Sequence, residues 1–141
     1  YLLMLMRALE LDNAAEGQEA TAAAFVDTNT ESYYSEALAL AKALGIVKGD
    51  LNNRFRPDDS ITRQEAIVMA QRAMAAAGIE LPPGDAANMQ FRDSQDISSY
   101  AKDGVAALVE AGVIRGYDGY LHPNQLLTRA QAAVMIRKVM N

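Results

Sequence analysis

The sequence contains no cysteine and no tryptophan, and it has no excess of positive charge. Without cysteine it forms neither a disulfide nor a thiolate site, which fits a cytosolic protein and equally a bacterial surface protein. The formal net charge is −5, which argues against nucleic-acid binding by a generally basic surface. Any anion site must therefore be a local cluster of Arg and Lys.

Long hydrophobic runs and a signal peptide are also missing. The apolar opening YLLMLM is far too short to span a membrane, so we expect no membrane insertion. Tyr1 stands in the middle of a helical pattern, and we interpret the chain as a fragment of something longer. Its 141 residues, 50% of them hydrophobic, suffice for one domain or for a few small repeated units.

An internal repeat organises the chain. FVDTNTESYYSEALALAKALGIVKG (25–49) is matched by FRDSQDISSYAKDGVAALVEAGVIRG (91–116), and FRPDDSITRQEAIVMAQRAM (55–74) by LHPNQLLTRAQAAVMIRKVM (121–140). MLMRAL near the start matches MAQRAM at 69–74, so we expect the end of a truncated first repeat, with its Thr-Arg just before Tyr1. The predicted units are the helix of repeat 1 at 1–11, a linker at 12–24, repeat 2 at 25–78, a linker at 79–90 and repeat 3 at 91–141.

Each full repeat predicts a helix, a turn and a second helix, with weak strand signals. Gly45 and Gly112 follow the last apolar residue of the first helix, where a left-handed C-cap is expected. The second helix of each repeat is apolar around most of its surface, which predicts burial on several sides. Three such helices, including Leu2–Leu11, would bury one another in a three-helix bundle. The predicted fold class is therefore all-α.

These motifs resemble the S-layer homology (SLH) repeat: Phe-x-Asp, an aromatic residue, Gly-Ile-Ile-x-Gly, Phe-x-Pro, and Ile-Thr-Arg-x-Glu before an apolar helix. The resemblance covers almost the whole chain apart from the linkers. The sequence departs from the family pattern in three ways. It has tyrosine where the family often has tryptophan, and its third repeat has Gln131 in place of the motif glutamate and Leu121 in place of the motif phenylalanine. The first repeat lacks its motif, so grooves that need it are expected to be incomplete.

The resemblance implies three repeats in a pseudo-threefold arrangement around a central three-helix bundle, on a protein secreted to the cell surface. It implies anchoring to a secondary cell-wall polysaccharide, often bearing acidic ketal-pyruvate groups, or in some lineages to peptidoglycan or a polymer attached to it. The glycan would lie in grooves between adjacent repeats, with the arginine of the Thr-Arg motif as a principal contact.

Two interpretations compete at the Thr-Arg motif. Thr62 with Glu65, and Thr128 with Gln131, fit a helix capping box, in which glutamine replaces glutamate without loss. The cap does not explain Arg63 or its counterpart Arg129, since the first helical position prefers an acid or proline. Free amides at a helix start, together with a guanidinium, would form a carboxylate site.

The remaining candidates have both structural and ligand-binding explanations. In each turn one cation precedes the second glycine and would add positive charge beside the groove, or be solvated. The glycines would take a positive φ or let a sugar approach. The aspartates would bind sugar hydroxyls or make Asx turns, and the tyrosines would pack on a sugar or in the core. In order, these pairs are Lys48 and Arg115, Gly49 and Gly116, Asp27 and Asp93, and Tyr34 and Tyr100.

No nucleophile–base pair, metal-ligand cluster or phosphate-binding loop is evident, so we predict a non-enzymatic module without cofactor or metal. The predicted function is a carbohydrate-binding anchor in which Arg63 and Arg129 pair with acidic groups of a wall polymer. The alternative is a helical protein–protein assembly module of a surface layer, whose apolar helix at Leu2–Leu11 docks onto another chain or self-associates.

Overall fold

The computed structural model describes residues 1–13, 25–28, 34–57 and 59–141, and this part of the chain is all-α. The predicted linker 12–24 lies outside the described residues from position 14 onward. Within the described ranges there is no strand, only isolated bridges between Thr62 and Leu126 and between Tyr117 and Tyr120. No described helix is long and apolar enough to cross a bilayer. The α-helices of the described ranges are α1 (Leu2–Ala8), α2 (Ser35–Ala43), α3 (Arg63–Ala76), α4 (Lys102–Glu110) and α5 (Arg129–Met140).

The first helix is shorter than the predicted Leu2–Leu11. It ends at Ala8, and Glu10 takes a left-handed backbone with φ of 55°. The chain then forms a short 3₁₀ turn at Leu11–Asn13. Leu11 is nevertheless buried, because the sharp bend after Ala8 still leaves this apolar side chain on the core.

The ends of the helices follow local sequence signals. Gly45 and Gly112 have φ of 75° and 74°, as expected for left-handed residues just beyond α2 and α4. The amide after each glycine closes the helix end: Ile46 donates to the carbonyl of Ala41, and Val113 to that of Leu108, both at 2.9 Å. This pattern satisfies carbonyls that a helix end would otherwise leave without a donor.

Helices α1, α3 and α5 each contact the other two. The hydroxyl of Tyr1 joins all three, since it donates to the carbonyl of Ala66 at 2.7 Å and lies 3.2 Å from the sulfur of Met135. Helix α3 is buried along several faces, as its continuous apolar pattern predicts. Its buried residues are Gln64, Ala66, Ile67, Val68, Ala70, Ala73 and Met74.

The segment predicted as a linker at 79–90 packs against α4. A short 3₁₀ turn, Ala86–Asn88, contacts this helix. A Cβ on Gly84 would come within 2.4 Å of the backbone carbonyl of Ala106, and the φ of Gly84 is 65°. Glycine is therefore required at 84 both for its conformation and for the close approach of two backbones.

Candidate functional site

Two grooves flank the long helices α3 and α5. The smaller has a volume of about 220 Å³ and lies between α5, the turn at 113–115 and the start of α3. It brings together Arg63 of predicted repeat 2 and Arg115 of predicted repeat 3. Its lining residues are Arg63, Val113, Ile114, Arg115, Ala130, Gln131, Val134, Met135 and Lys138.

Arg63 crosses from one predicted repeat to the next. Its guanidinium donates to the carbonyl of Arg115 at 3.3 Å. The side chain is half-buried, and this burial lowers the pKa of Arg63 from its ordinary value. The contact leaves most of the guanidinium N–H groups available to an acceptor in the groove.

The start of α3 does not offer the free amides that the sequence suggested. The amide of Arg63 donates to the carbonyl of Gln125 at 2.8 Å, and that of Gln64 to the carbonyl of Pro123 at 2.9 Å. The amide of Glu65 is taken by the hydroxyl of Thr62 at 3.3 Å. A loop from the other predicted repeat thus occupies the amides of this helix start. An anion near it would be bound by the Arg63 side chain and not by free backbone amides.

Both capping boxes are present. At α3, the carboxylate Oε2 of Glu65 accepts from the amide of Thr62 at 2.9 Å. At α5, Oε1 of Gln131 accepts from the amide of Thr128 at 3.0 Å, and the Thr128 hydroxyl accepts from the Gln131 amide at 3.1 Å. The two side chains therefore cap their helices in the same way.

The larger groove, of about 920 Å³, lies along α3 and the turn at 46–49. It holds four of the candidate residues: Tyr34, Lys48, Gly49 and Tyr100. Tyr100 is 54% exposed; partial burial and the nearby Glu65 carboxylate raise the pKa of its phenol. Its ring is thus open to a ligand rather than enclosed in the core.

The two aspartates of the Phe-x-Asp motifs hold backbone amides about 28 residues away. The carboxylate oxygens of Asp27 accept from Phe55 at 2.8 Å and Arg56 at 2.7 Å. Those of Asp93 accept from Leu121 at 2.8 Å and His122 at 2.9 Å. Desolvation opposes ionisation of Asp27, but these hydrogen bonds outweigh it and lower its pKa. Each aspartate thus connects the start of its repeat to the loop that precedes the second helix of that repeat, α3 for Asp27 and α5 for Asp93.

The two glycines of the motif turns differ in backbone conformation, but neither position has space for a Cβ. Gly49 has the expected positive φ of 73°, and a Cβ there would lie 2.5 Å from the ring of Phe25. Gly116 does not have a positive φ, contrary to the prediction. A Cβ at 116 would lie 2.5 Å from the ring of Phe91 and 2.6 Å from the carbonyl of Tyr120, so glycine is needed there for space.

Arg129 is exposed and lines neither groove. Gly116, Asp27 and Asp93 also lie outside both linings. The amide of Arg129, unlike that of Arg63, donates to no carbonyl of the described residues. The structure thus brings Arg63, not Arg129, into a groove beside a turn of the Gly-Ile-Ile-x-Gly type.

Sequence reasoning missed three residues. Lys138 lines the smaller groove and Arg72 the larger one. Both follow the motif threonine by ten residues (72 − 62 and 138 − 128), a regularity that could have identified them. Gln64 was missed as well; it is 4% exposed and makes side-chain hydrogen bonds to two distant segments.

The family model of the S-layer homology domain matches residues 24–67 and 90–133. The chain belongs to the S-layer homology family. SLH domains anchor surface proteins to the cell wall, and their homologues are S-layer and cell-surface anchored proteins. The resemblance drawn from the motifs and the cell-surface localisation are thus confirmed.

Relatives of this SLH chain carry different names. It is 35% identical over 137 residues to an exoglucanase of Acetivibrio thermocellus, covering 96% of this chain and 12% of that protein. It is 30% identical over 135 residues to a surface-layer 125 kDa protein of Lysinibacillus sphaericus, covering 93% and 10%. A cellulosome-anchoring protein of Acetivibrio thermocellus is 31% identical over 93 residues, covering 65% and 20%. The chain spans a fifth or less of the length of these relatives.

Proposed function

We propose that this SLH chain is a non-catalytic module that anchors a surface protein by binding an acidic, pyruvylated secondary cell-wall polysaccharide in grooves between repeats. The observation that carries this proposal is the smaller groove, where Arg63 of one repeat donates to the Arg115 carbonyl of the next. The surface-layer and cellulosome-anchoring names of two relatives support the anchoring role.

We further propose that three repeats surround a pseudo-threefold bundle of α1, α3 and α5. The mutual contacts of these helices support this arrangement. The Tyr1 hydroxyl supports it as well, because it contacts both Ala66 of α3 and Met135 of α5. In such a bundle each groove lies where neighbouring repeats meet, so a bound glycan would touch two repeats at once.

The chemistry of Arg63 suits a carboxylate of the polymer. A guanidinium presents paired N–H donors that match the two oxygens of a carboxylate. Because the side chain is partly desolvated in the groove, its attraction to an anion is screened less than on an open surface. Arg129 would contribute at the second helix start, from an exposed position.

The test is co-sedimentation of the purified chain with isolated cell-wall sacculi. We expect the wild type to pellet and a variant carrying Arg63→Ala and Arg129→Ala to lose at least about tenfold in affinity, as for lost charge-assisted contacts. The matched control carries Arg7→Ala and Arg137→Ala, which remove the same charge from exposed positions outside both grooves. Mild acid treatment of the walls, which removes ketal groups, should abolish binding.

Two outcomes would contradict the proposal. If the Arg63 and Arg129 double variant pellets as well as the control, these arginines do not bind the wall polymer. If acid-treated walls bind equally well, the ligand is peptidoglycan or another polymer rather than a pyruvylated glycan. An assembly module would instead elute as a defined oligomer and never pellet; in α1, however, only Met4 among the large apolar side chains is exposed, at 50%.

A further inference from the structure

A two-residue hairpin in predicted repeat 3 presents two tyrosines on the surface. Tyr117 and Tyr120 exchange both backbone hydrogen bonds, at 2.8 and 2.9 Å, around the turn residues Asp118 and Gly119. These turn residues have φ of 50° and 81°, which is typical of a type I′ turn. Directly opposed residues of such a pair point to the same face of the hairpin. The two tyrosines therefore share one face, and neither lines either groove.

Neighbouring segments hold this face in place. The amide of Arg92 donates to the carbonyl of Gly119 at 2.8 Å. The ring of Tyr120 stacks on that of His122, with centroids 5.6 Å apart, and the guanidinium carbon of Arg92 lies 5.7 Å from the Tyr120 centroid. The Asp93 carboxylate accepts from the amide of His122 and so anchors the base of the hairpin. Because the hairpin is already held in one conformation, binding costs less conformational entropy.

The stability of the turn does not explain the tyrosines. Tyr117 is 73% exposed and Tyr120 37%, so the Tyr117 ring contributes little to the core. The corresponding turn of predicted repeat 2 has no tyrosine pair. There the amide of Asp50 donates to the carbonyl of Arg54 at 3.0 Å, and the Asp50 carboxylate is paired with Arg56. The tyrosines of repeat 3 are therefore available to a ligand rather than required for the fold.

The size and chemistry of this face favour a sugar ring. Two tyrosines offer at most about 300–500 Å², whereas a stable protein interface buries about 800 Å² on each partner. A neutral pyranose has an apolar face of C–H groups, which can pack on a phenol ring, and a rim of hydroxyls. Asp118 in the turn supplies an acceptor for these hydroxyls, and Arg92 beside Tyr120 supplies donors. With one charge of each sign, they give an acidic sugar no advantage.

We infer that Tyr117 and Tyr120 form a second carbohydrate contact, outside the two grooves, that stacks on a neutral pyranose of the wall polymer. The inference rests on the proposed function for the kind of polymer, but it requires neither the Thr-Arg motif nor an acidic group. Two exposed rings bind weakly on their own. They add to wall binding when the same polymer is held in a groove, because the second contact is then intramolecular.

The test is a titration of the ¹⁵N-labelled chain with two neutral trisaccharides, tri-N-acetylchitotriose and maltotriose, followed by backbone amide shifts. We expect at least one of them to shift the amides at 117–120 saturably, with a dissociation constant of about 1–10 mM. Sorbitol has similar hydroxyls but no ring with an apolar face, and it should cause no saturable shift.

Variants at Tyr117 separate ring stacking from other contacts. Tyr117→Leu should weaken the binding at least about fivefold, whereas Tyr117→Phe, which keeps the ring, should stay within about twofold of wild type. Leu51→Ser is the matched control, because Leu51 is fully exposed in the corresponding turn of repeat 2; it should bind as wild type does. Unchanged melting temperatures would show that the variants remain folded.

Four results would overturn the inference: saturation by neither trisaccharide, an equal response to sorbitol, no effect of Tyr117→Leu, or equal losses in the Leu and Phe variants. Self-association that Tyr117→Leu abolishes, without a trisaccharide response, would assign the face to a second copy of the chain instead. The variant carrying Arg63→Ala and Arg129→Ala should leave the titration unchanged. Failure of the wild type to pellet with sacculi would refute the anchoring role, while the titration would still decide whether the tyrosines bind a neutral sugar.

Discussion

The side-chain amide nitrogen of Gln64 donates to Oδ1 of Asn124 at 2.8 Å. The oxygen of the same side chain accepts from the amide of Ser98 at 2.9 Å. Gln64 is buried at the start of α3, whereas both partners belong to the next repeat. One glutamine therefore joins the helix of one repeat to two segments of its neighbour, beside the groove that contains Arg63.

Replacing Gln64 with methionine should destabilise the chain. Methionine keeps the approximate shape but leaves the partly buried amide of Ser98 without its acceptor, which costs about 1–3 kcal/mol. The free energy of unfolding in urea measures the effect. Gln71→Met is the matched control on the same helix, where the side chain of the half-buried glutamine makes no hydrogen bond to the described residues; it should change stability by no more than about 0.5 kcal/mol. Equal losses in both variants would contradict this role for Gln64.

Substitution of Gly84 by alanine should be more costly than substitution of Gly78. Both glycines have positive φ, 65° and 78°, so alanine at either position carries a conformational penalty of about 1–2 kcal/mol. A Cβ at 84 would also collide with the backbone of Ala106, whereas one at 78 meets nothing within 4 Å. We expect Gly84→Ala to lose roughly a further 1–3 kcal/mol or to fail to fold. Similar urea midpoints for the two variants would show that the segment can move away from α4.

Asp27 should make stability depend on pH in the acid range. Its folded-state pKa is lowered from the ordinary 3.8 because the amides of Phe55 and Arg56 donate to the ionised carboxylate. The stabilisation is therefore complete above the unfolded-state pKa and is lost as the pH falls through the lower folded-state pKa. Asp27→Asn should be less stable than wild type at pH 7, and the difference should shrink towards pH 2.

Denaturant titrations at several pH values measure this dependence. Asp96→Asn, at an exposed aspartate that makes no side-chain hydrogen bond to the described residues, serves as the control and should not reproduce it. A stability difference for Asp27→Asn that is independent of pH would mean that the variant disturbs the loop sterically rather than through loss of the charge.

The features that could be predicted from the sequence are mostly local. A capping box joins residues three positions apart, and a glycine just past a helix acts on the preceding turn, so short motifs suffice to predict both. The length of α1 was not predictable in this way, because the apolar pattern continues through Leu11 although the helix ends at Ala8. The apolar pattern indicates burial rather than helix length, and Leu11 is buried although it lies beyond the end of the helix.

The site could be predicted only in part. The repeated arginine suggested Arg63, but the sequence treats Arg129 as its equal, whereas Arg63 lines a groove and Arg129 does not. The contact from Arg63 to Arg115 spans 52 positions of the chain, a separation that no local motif encodes.

The sequence by itself determined the repeat, the helical class, the family and the capping of the long helices, because each follows from residue spacing or from contacts within one turn. Tertiary structure alone decided that the amides at the start of α3 are already occupied, that Gly116 is required for space, and that the Arg63 guanidinium lies against the carbonyl of Arg115. These properties depend on segments that are distant in the chain and become neighbours only when the helices pack.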